Sequence, residues 1–214
     1  MKIKNKICKG VDVFINKNLI AYQESLDIME KRVLDLYNDR ARELIWLLEH
    51  TSVYTSGRGH KEKRAYINDV PVINCNRGGK ITWHGPGQKV IYLVLNLRKR
   101  KLDIRKFVHA LEEFIIQSLS EMNIFSYRKK NLIGIWTKDD VGQDAKIASL
   151  GLRVSKGIIY HGLSINFSCN LENFYKINPC GISNGKVTSI KSLNNQINIE
   201  KCDSILEKNI SNII

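Results

Sequence analysis

The sequence predicts an α+β fold, a mixed or antiparallel sheet with helices packed against it. Three observations carry that expectation. Two long segments repeat apolar residues at intervals of three and four, as amphipathic helices do. Between and after them lie short runs rich in β-branched and aromatic residues. Strands and helices do not alternate regularly, which disfavours a doubly wound parallel sheet.

Taken along the chain, Leu19, Tyr22, Leu26, Met29, Val33 and Leu36 mark the apolar face of a first helix. Strand-like runs follow at Glu43–Glu49, Val70–Asn74 and Lys89–Leu95. Ile104, Phe107, Val108, Leu111, Ile115, Leu119 and Met122 define a second long helix. Ile133–Thr137 reads as another strand, and Lys146–Val154 with Ile158–Phe167 as a hairpin closed by Ser155-Lys156-Gly157. A shorter helix from about Ile199 to Ile213 places Ile199, Cys202, Leu206 and Ile213 on one side.

Composition bounds the function. The 214 residues are 43% hydrophobic and 26% charged, ordinary globular usage. Pro71, Pro86 and Pro179 are scattered and no linker-like stretch occurs, so residues 1–214 are expected to form one domain. Lys plus Arg number 34 against 21 acidic residues, a net charge of +13 that points to acidic partners. No apolar run approaches the ~18 residues of a membrane helix, and no apolar signal segment follows the basic N-terminus. A cytoplasmic protein with no membrane partner is expected. Five cysteines without C-x-x-C spacing argue against a disulfide framework or zinc ribbon, so no metal is expected.

Three segments concentrate chemistry. RGGKITWHGPGQ (Arg77–Gln88) packs Arg77, Trp83 and His84 among four glycines and a proline. Gly78-Gly79 admits close backbone approach, and Gly85-Pro86-Gly87 fixes His84 at a strand end. KIASLG (Lys146–Gly151) sets a lysine at the edge of a core strand, where partial burial lets an amine exchange protons nearer neutrality. In Asn178-Pro179-Cys180-Gly181 a turn presents a cysteine, whose thiolate a nearby cation favours. His161, between Tyr160 and Gly162, reads first as an ordinary satisfied histidine, and Gly57-Arg58-Gly59 as an anion loop or a solvated one.

In this order RGGKITWHGPGQ, KIASLG, YHGLSINF (Tyr160–Phe167) and INPCGI (Ile177–Ile182) resemble the lipoyl(octanoyl) transferase family, over roughly Glu43 to Lys191. The resemblance implies a fold similar to the catalytic domains of biotin and lipoate ligases. It implies an acyltransferase that moves an octanoyl group from octanoyl-acyl carrier protein to a lysine of lipoyl domains. Those domains belong to 2-oxoacid dehydrogenases and the glycine cleavage H protein, and no cofactor is implied. Carried over by residue, Cys180 is the acyl-thioester nucleophile and Lys146 lowers its pKa and moves protons. Arg77, Gly78, Gly79, Lys80, Ile81, Thr82, Trp83 and His84 match substrate-binding positions, as do Ser149, Leu150, Gly151, Gly162, Leu163 and Ser164. Asn76 and Trp83 depart from the residues common there, Asp and Tyr, and the Lys138–Asp144 loop is longer than usual.

Three other readings compete. An ATP-dependent lipoate or biotin ligase of the same architecture would have no use for a nucleophilic cysteine. A nucleic-acid-binding module would want a recognisable RNA-binding motif, and none is present. A papain-like hydrolase would need His84 or His161 beside Cys180. An acyltransferase fits the motifs best, and a monomer is expected.

Overall fold

The computed structural model describes residues 3–59, 62–177 and 186–213. The chain forms β1 (Ile3–Cys8), β2 (Val11–Ile20), α1 (Tyr22–Tyr37), β3 (Leu44–His50), β4 (Val53–Ser56), β5 (Tyr66–Ile67), β6 (Val70–Asn74), β7 (Ile81–His84) and β8 (Gln88–Asn96). There follow α2 (Ile104–Glu121), β9 (Tyr127–Lys129), β10 (Leu132–Lys138), β11 (Asp144–Ser155), β12 (Ile158–Asn166) and α3 (Glu172–Tyr175). The described chain ends with β13 (Lys186–Val187), α4 (Ile190–Leu193), α5 (Ile199–Asn209) and a 3₁₀ turn at Ile210–Asn212.

The main sheet runs β1-β2-β3-β8-β12-β11-β10-β9, with β13 paired to β11. It is mixed: β2–β3 and β11–β13 are parallel, the other pairs antiparallel. Strand β8 shows why its sequence is apolar throughout. Ile91, Leu93 and Leu95 pack with Phe107, Leu111 and Ile115 of α2 and Leu206 of α5. Val90, Tyr92 and Val94 pack on the opposite face with Leu26, Met29 and Val33 of α1. Helices on both faces leave no strand position free to be polar.

A second, smaller sheet, β5-β6-β4-β7, holds the glycine-rich segment. Its core joins Tyr54, Ile67, Ile81 and Trp83 to Cys169, Phe174 and Ile177. The expected Val70–Asn74 strand is therefore real but belongs here and not to the main sheet.

The N-terminal hairpin is the element the sequence hides. Val11, Val13 and Ile15 alternate inward in β2, but the polar run Asn16-Lys17-Asn18 follows them, and the pattern breaks at a register shift between Ile15 and Leu19. Buried Asn16 at that break accepts a hydrogen bond from Trp46 Nε1 at 2.7 Å. Leu19 thus ends up half exposed at the end of β2, and the first helix begins at Tyr22.

Strands β8 and β12 approach closely at Gly162, which pairs with Tyr92 on one side and Gly151 on the other. A Cβ at Gly162 would lie 1.9 Å from the Ile91 carbonyl oxygen, a separation that only backbone movement can relieve. Gly162→Ala is expected to lower the unfolding free energy by about 3 kcal/mol or more in a urea titration. An unchanged midpoint would contradict this placement.

Candidate active site

Strands β7, β8, β11 and β12 surround a cavity of about 510 Å³, within the range that holds a small acyl group. Arg77, Gly78, Gly79, Lys80, Ile81, Thr82 and His84 line it, with Ser149, Leu150, Gly151, Gly162, Leu163 and Ser164. Lys146 and His161 line the same cavity. Trp83, also expected to bind substrate, is the exception. Alternation along β7 turns its ring to the other side, where Nε1 donates to Ser52 Oγ at 2.9 Å and the ring meets Phe174 edge-on. Cys180 lies outside the described residues.

Lys146 is 8% exposed and sits where β10, β11 and β13 meet. Its Nζ donates to the Ile133 carbonyl at 2.7 Å and stands 5.8 Å from the centre of the Trp136 ring. Gly134, at φ 114°, makes the room: a Cβ there would lie 2.3 Å from Lys146 Cε. The chain that leaves Ile177 is described again at Lys186, which pairs with Ala145, while Val187 pairs with Lys146. Beside them Asp144 accepts hydrogen bonds from Lys129 at 2.6 Å and Lys138 at 2.5 Å, which hold its carboxyl well below the usual carboxylate range.

Arg77 clasps the glycine-rich segment to the small sheet. Its Nε donates to Thr55 Oγ1 at 3.1 Å, one terminal nitrogen to the Thr55 carbonyl and hydroxyl, and the other to the Gly78 carbonyl at 2.9 Å. The Gly57-Arg58-Gly59 segment runs along this loop and donates to the carbonyls of Arg77 and Gly79. This backbone pairing braces the loop.

His84 is held by a hydrogen-bond chain that leads back to Lys146. Gln88 Nε2 donates to Asn166 Oδ1 at 3.0 Å, so the Gln88 amide oxygen faces His84 Nδ1 at 2.6 Å. His84 Nδ1 must then be the donor, which leaves Nε2 as its basic nitrogen. Asn166 Nδ2 donates to the Thr188 carbonyl, and Thr188 N–H to the Lys146 carbonyl, both at 3.0 Å. Burial is the main cause that depresses the pKa of three neighbouring histidines: His84 to about 3, His50 and His161 to about 4.

His161 departs from the expected satisfied histidine. It is 1% exposed, and among the described residues neither ring nitrogen has a hydrogen-bond partner. Its backbone is left-handed at φ 61°, a conformation that costs a non-glycine residue about 1–2 kcal/mol.

A sequence model described as the lipoyl protein ligase A/B catalytic domain matches residues 21–211. An octanoyltransferase of Ehrlichia chaffeensis is 41% identical over 196 residues, spanning 91% of this chain and 91% of that protein. The chain belongs to the lipoyl protein ligase A/B catalytic-domain family. As its octanoyltransferase relatives indicate, it is an acyltransferase. Among solved structures, the bipartite lipoate protein ligase of Thermoplasma acidophilum matches with a TM-score of 0.67 at 12% identity, covering 93% of this chain and 82% of that one. The biotin protein ligase of Aquifex aeolicus in complex with biotin and ATP gives 0.56 at 13%, covering 94% and 69%. At these identities the likeness is one of fold, and it bears out the expected ligase-like α+β architecture.

Several residues of this lipoyl protein ligase A/B domain's cavity escape a reading by motif. Tyr22, at the first turn of α1, stacks on His84 with ring centres 6.1 Å apart, and Tyr92 hydrogen-bonds His50 at 2.8 Å. Ile104 and Val108 bring the start of α2 to the cavity rim. Trp136 carried one legible signal, the glycine two residues earlier within a strand-like run.

The depressed histidine pKa values set a pH dependence. The unfolded chain takes up these protons from about pH 6.5 downward, the folded chain only near 3–4. Stability from keeping the rings neutral is therefore complete above pH 6.5 and lost as pH falls. Unfolding free energy is expected to drop between pH 6.5 and 4.5 by about 1.4 kcal/mol per pH unit for each histidine. His50→Gln should remove one such contribution. Equilibrium denaturation across that window checks this, and a flat profile would contradict the burial of the three rings.

Proposed function

We propose that this acyltransferase moves an octanoyl group from octanoyl-acyl carrier protein to a specific lysine of lipoyl domains, through a thioester on Cys180. The acceptors are the lipoyl domains of 2-oxoacid dehydrogenases and the glycine cleavage H protein. The enzyme acts as a monomer in the cytoplasm, at the first step of endogenous protein lipoylation. The observation that carries the reading is Lys146, buried in the wall of an acyl-sized cavity within a family whose relatives are octanoyltransferases.

In the first half-reaction the Cys180 thiolate attacks the carrier thioester carbonyl. The tetrahedral intermediate collapses, the bond to the carrier sulfur breaks, and Lys146 gives that sulfur its proton. In the second, neutral Lys146 takes a proton from the acceptor ammonium, and the freed amine attacks the Cys180 thioester. The amide forms, the Cys180 thiolate leaves, and the last amide proton passes to solvent. A thioester carries enough free energy to make an amide, so ATP has no role.

Two other cysteines, Cys169 and Cys202, are poor candidates for the nucleophile. Burial pushes the thiols of Cys169 and Cys202 up to about 12, which keeps both protonated and unreactive. The +13 charge suits two acidic protein partners, each of which must reach the same cavity and leave again.

The test is intact-mass analysis after mixing the protein with octanoyl-carrier protein, without ATP. One hydroxylamine-sensitive octanoyl adduct should appear, map to Cys180, and vanish in Cys180→Ala. An adduct on Cys169, an undiminished adduct in the variant, or acylation that needs ATP and free acid would overturn the assignment. The last outcome would establish a ligase.

A further inference from the structure

A base that deprotonates the acceptor lysine sets a limit on where the acceptor can stand. The two nitrogens must come within about 3 Å of each other. A lysine side chain holds its nitrogen about 6 Å from its own Cα, by ordinary bond lengths. The acceptor backbone must therefore come within about 9 Å of Lys146 Nζ. The donor brings its thioester on a long flexible arm and is under no such limit.

Strand β10 decides what the acceptor meets there. Ile133, Gly134 and Trp136 lie around the Lys146 head group. Gly134 and Trp136 are buried, whereas Ile133 is 68% exposed. The cause is a bulge. Leu132 pairs with Lys129 of β9, and Ile135 pairs with Arg128 next to it, which leaves Ile133 and Gly134 as extra residues on β10. Bulges re-aim the residues they carry. Here the Ile133 carbonyl turns in to Lys146, and its side chain is left open to solvent. A single exposed isoleucine is ordinary. This one continues into an apolar rim, because Leu132, Ile104 and Val108 line the same cavity.

The rim is also cationic. Among the described residues that line the cavity none is acidic, while Arg77, Lys80 and Lys146 are basic. Lys130 and Arg105, next in sequence to the lining residues Asn131 and Ile104, are exposed. Neither pairs with a carboxylate among the described residues. Acidic groups around an acceptor lysine would meet these cations as the lysine enters.

We propose that the apolar rim centred on Ile133 is the docking surface of the acceptor, an acidic lipoyl domain that carries its lysine at the contact itself. The inference rests on Lys146 being the base of the second half-reaction, as proposed above.

Two variants test it, Ile133→Ser on the rim and Lys130→Glu beside it. Titration calorimetry reads binding of an unmodified lipoyl domain and of acyl carrier protein. Mass analysis follows delivery from pre-acylated protein to the domain and to Nα-acetyl-lysine amide. Ile133→Ser should weaken domain binding about tenfold, in keeping with burial of one large apolar side chain. Delivery to the domain should fall relative to the small amine by the same factor. Damage to Lys146 would slow both acceptors equally, and an equal loss overturns the proposal. Lys130→Glu should weaken domain binding most at low salt and leave self-acylation unchanged. Unchanged domain affinity in the folded variants, or an equal loss of affinity for the carrier, also overturns it. Domain binding that depends on Ile133 without any acyl transfer would leave the docking surface standing and sink the transferase reading instead.

Discussion

The head group of Lys146, seated inside the wall of an apolar cavity, imposes the constraint on which the local structure depends. A lysine taken out of water needs dipoles to replace its hydration, and the Ile133 carbonyl and the Trp136 ring provide them. Both come from β10, and they reach Nζ because that strand has a register shift between Ile135 and Trp136. Gly134 makes the irregularity possible, since any side chain there would occupy the space of the lysine methylenes. On its other side β11 is held by β13, so Lys146 is fixed from both neighbours by backbone pairing.

The glycine-rich segment answers a different demand, that a rigid polar wall be brought against the same cavity. Arg77 holds it to Thr55, and backbone bonds to Gly57–Gly59 brace it from outside. Through Gln88, Asn166 and Thr188 the orientation of His84 is linked to the carbonyl of Lys146 itself. Loop and lysine therefore belong to one hydrogen-bonded unit, although 62 positions separate His84 from Lys146. His84 in this unit, like the neighbouring His50 and His161, stays neutral at physiological pH.

Helical periodicity made α2 legible almost to its ends, since Asp103 caps it as the spacing of Ile104 and Phe107 requires. Lys156-Gly157 likewise announced the hairpin of β11 and β12, and the motifs named most of the cavity wall. Other features were illegible for physical reasons. Polar residues dilute the alternation of β2, and one bulge breaks what remains. The fate of Trp83 depends on which face of β7 meets the small core, which no motif encodes. The left-handed turn at His161 replaces the glycine that such a φ would suggest, so nothing in the sequence marks it.

The central claim, that Lys146 carries protons between the two acyl transfers, is tested most directly by following the half-reactions separately in Lys146→Arg. Arginine keeps a positive charge but cannot release a proton near neutrality. Mass analysis across pH should show Cys180 still acylated from octanoyl-carrier protein, with delivery to the lipoyl-domain lysine slowed severely. Delivery at a near wild-type rate would contradict the account. Lys146 would then be only an electrostatic neighbour, and another base, His84 or His161 first, would have to deprotonate the acceptor.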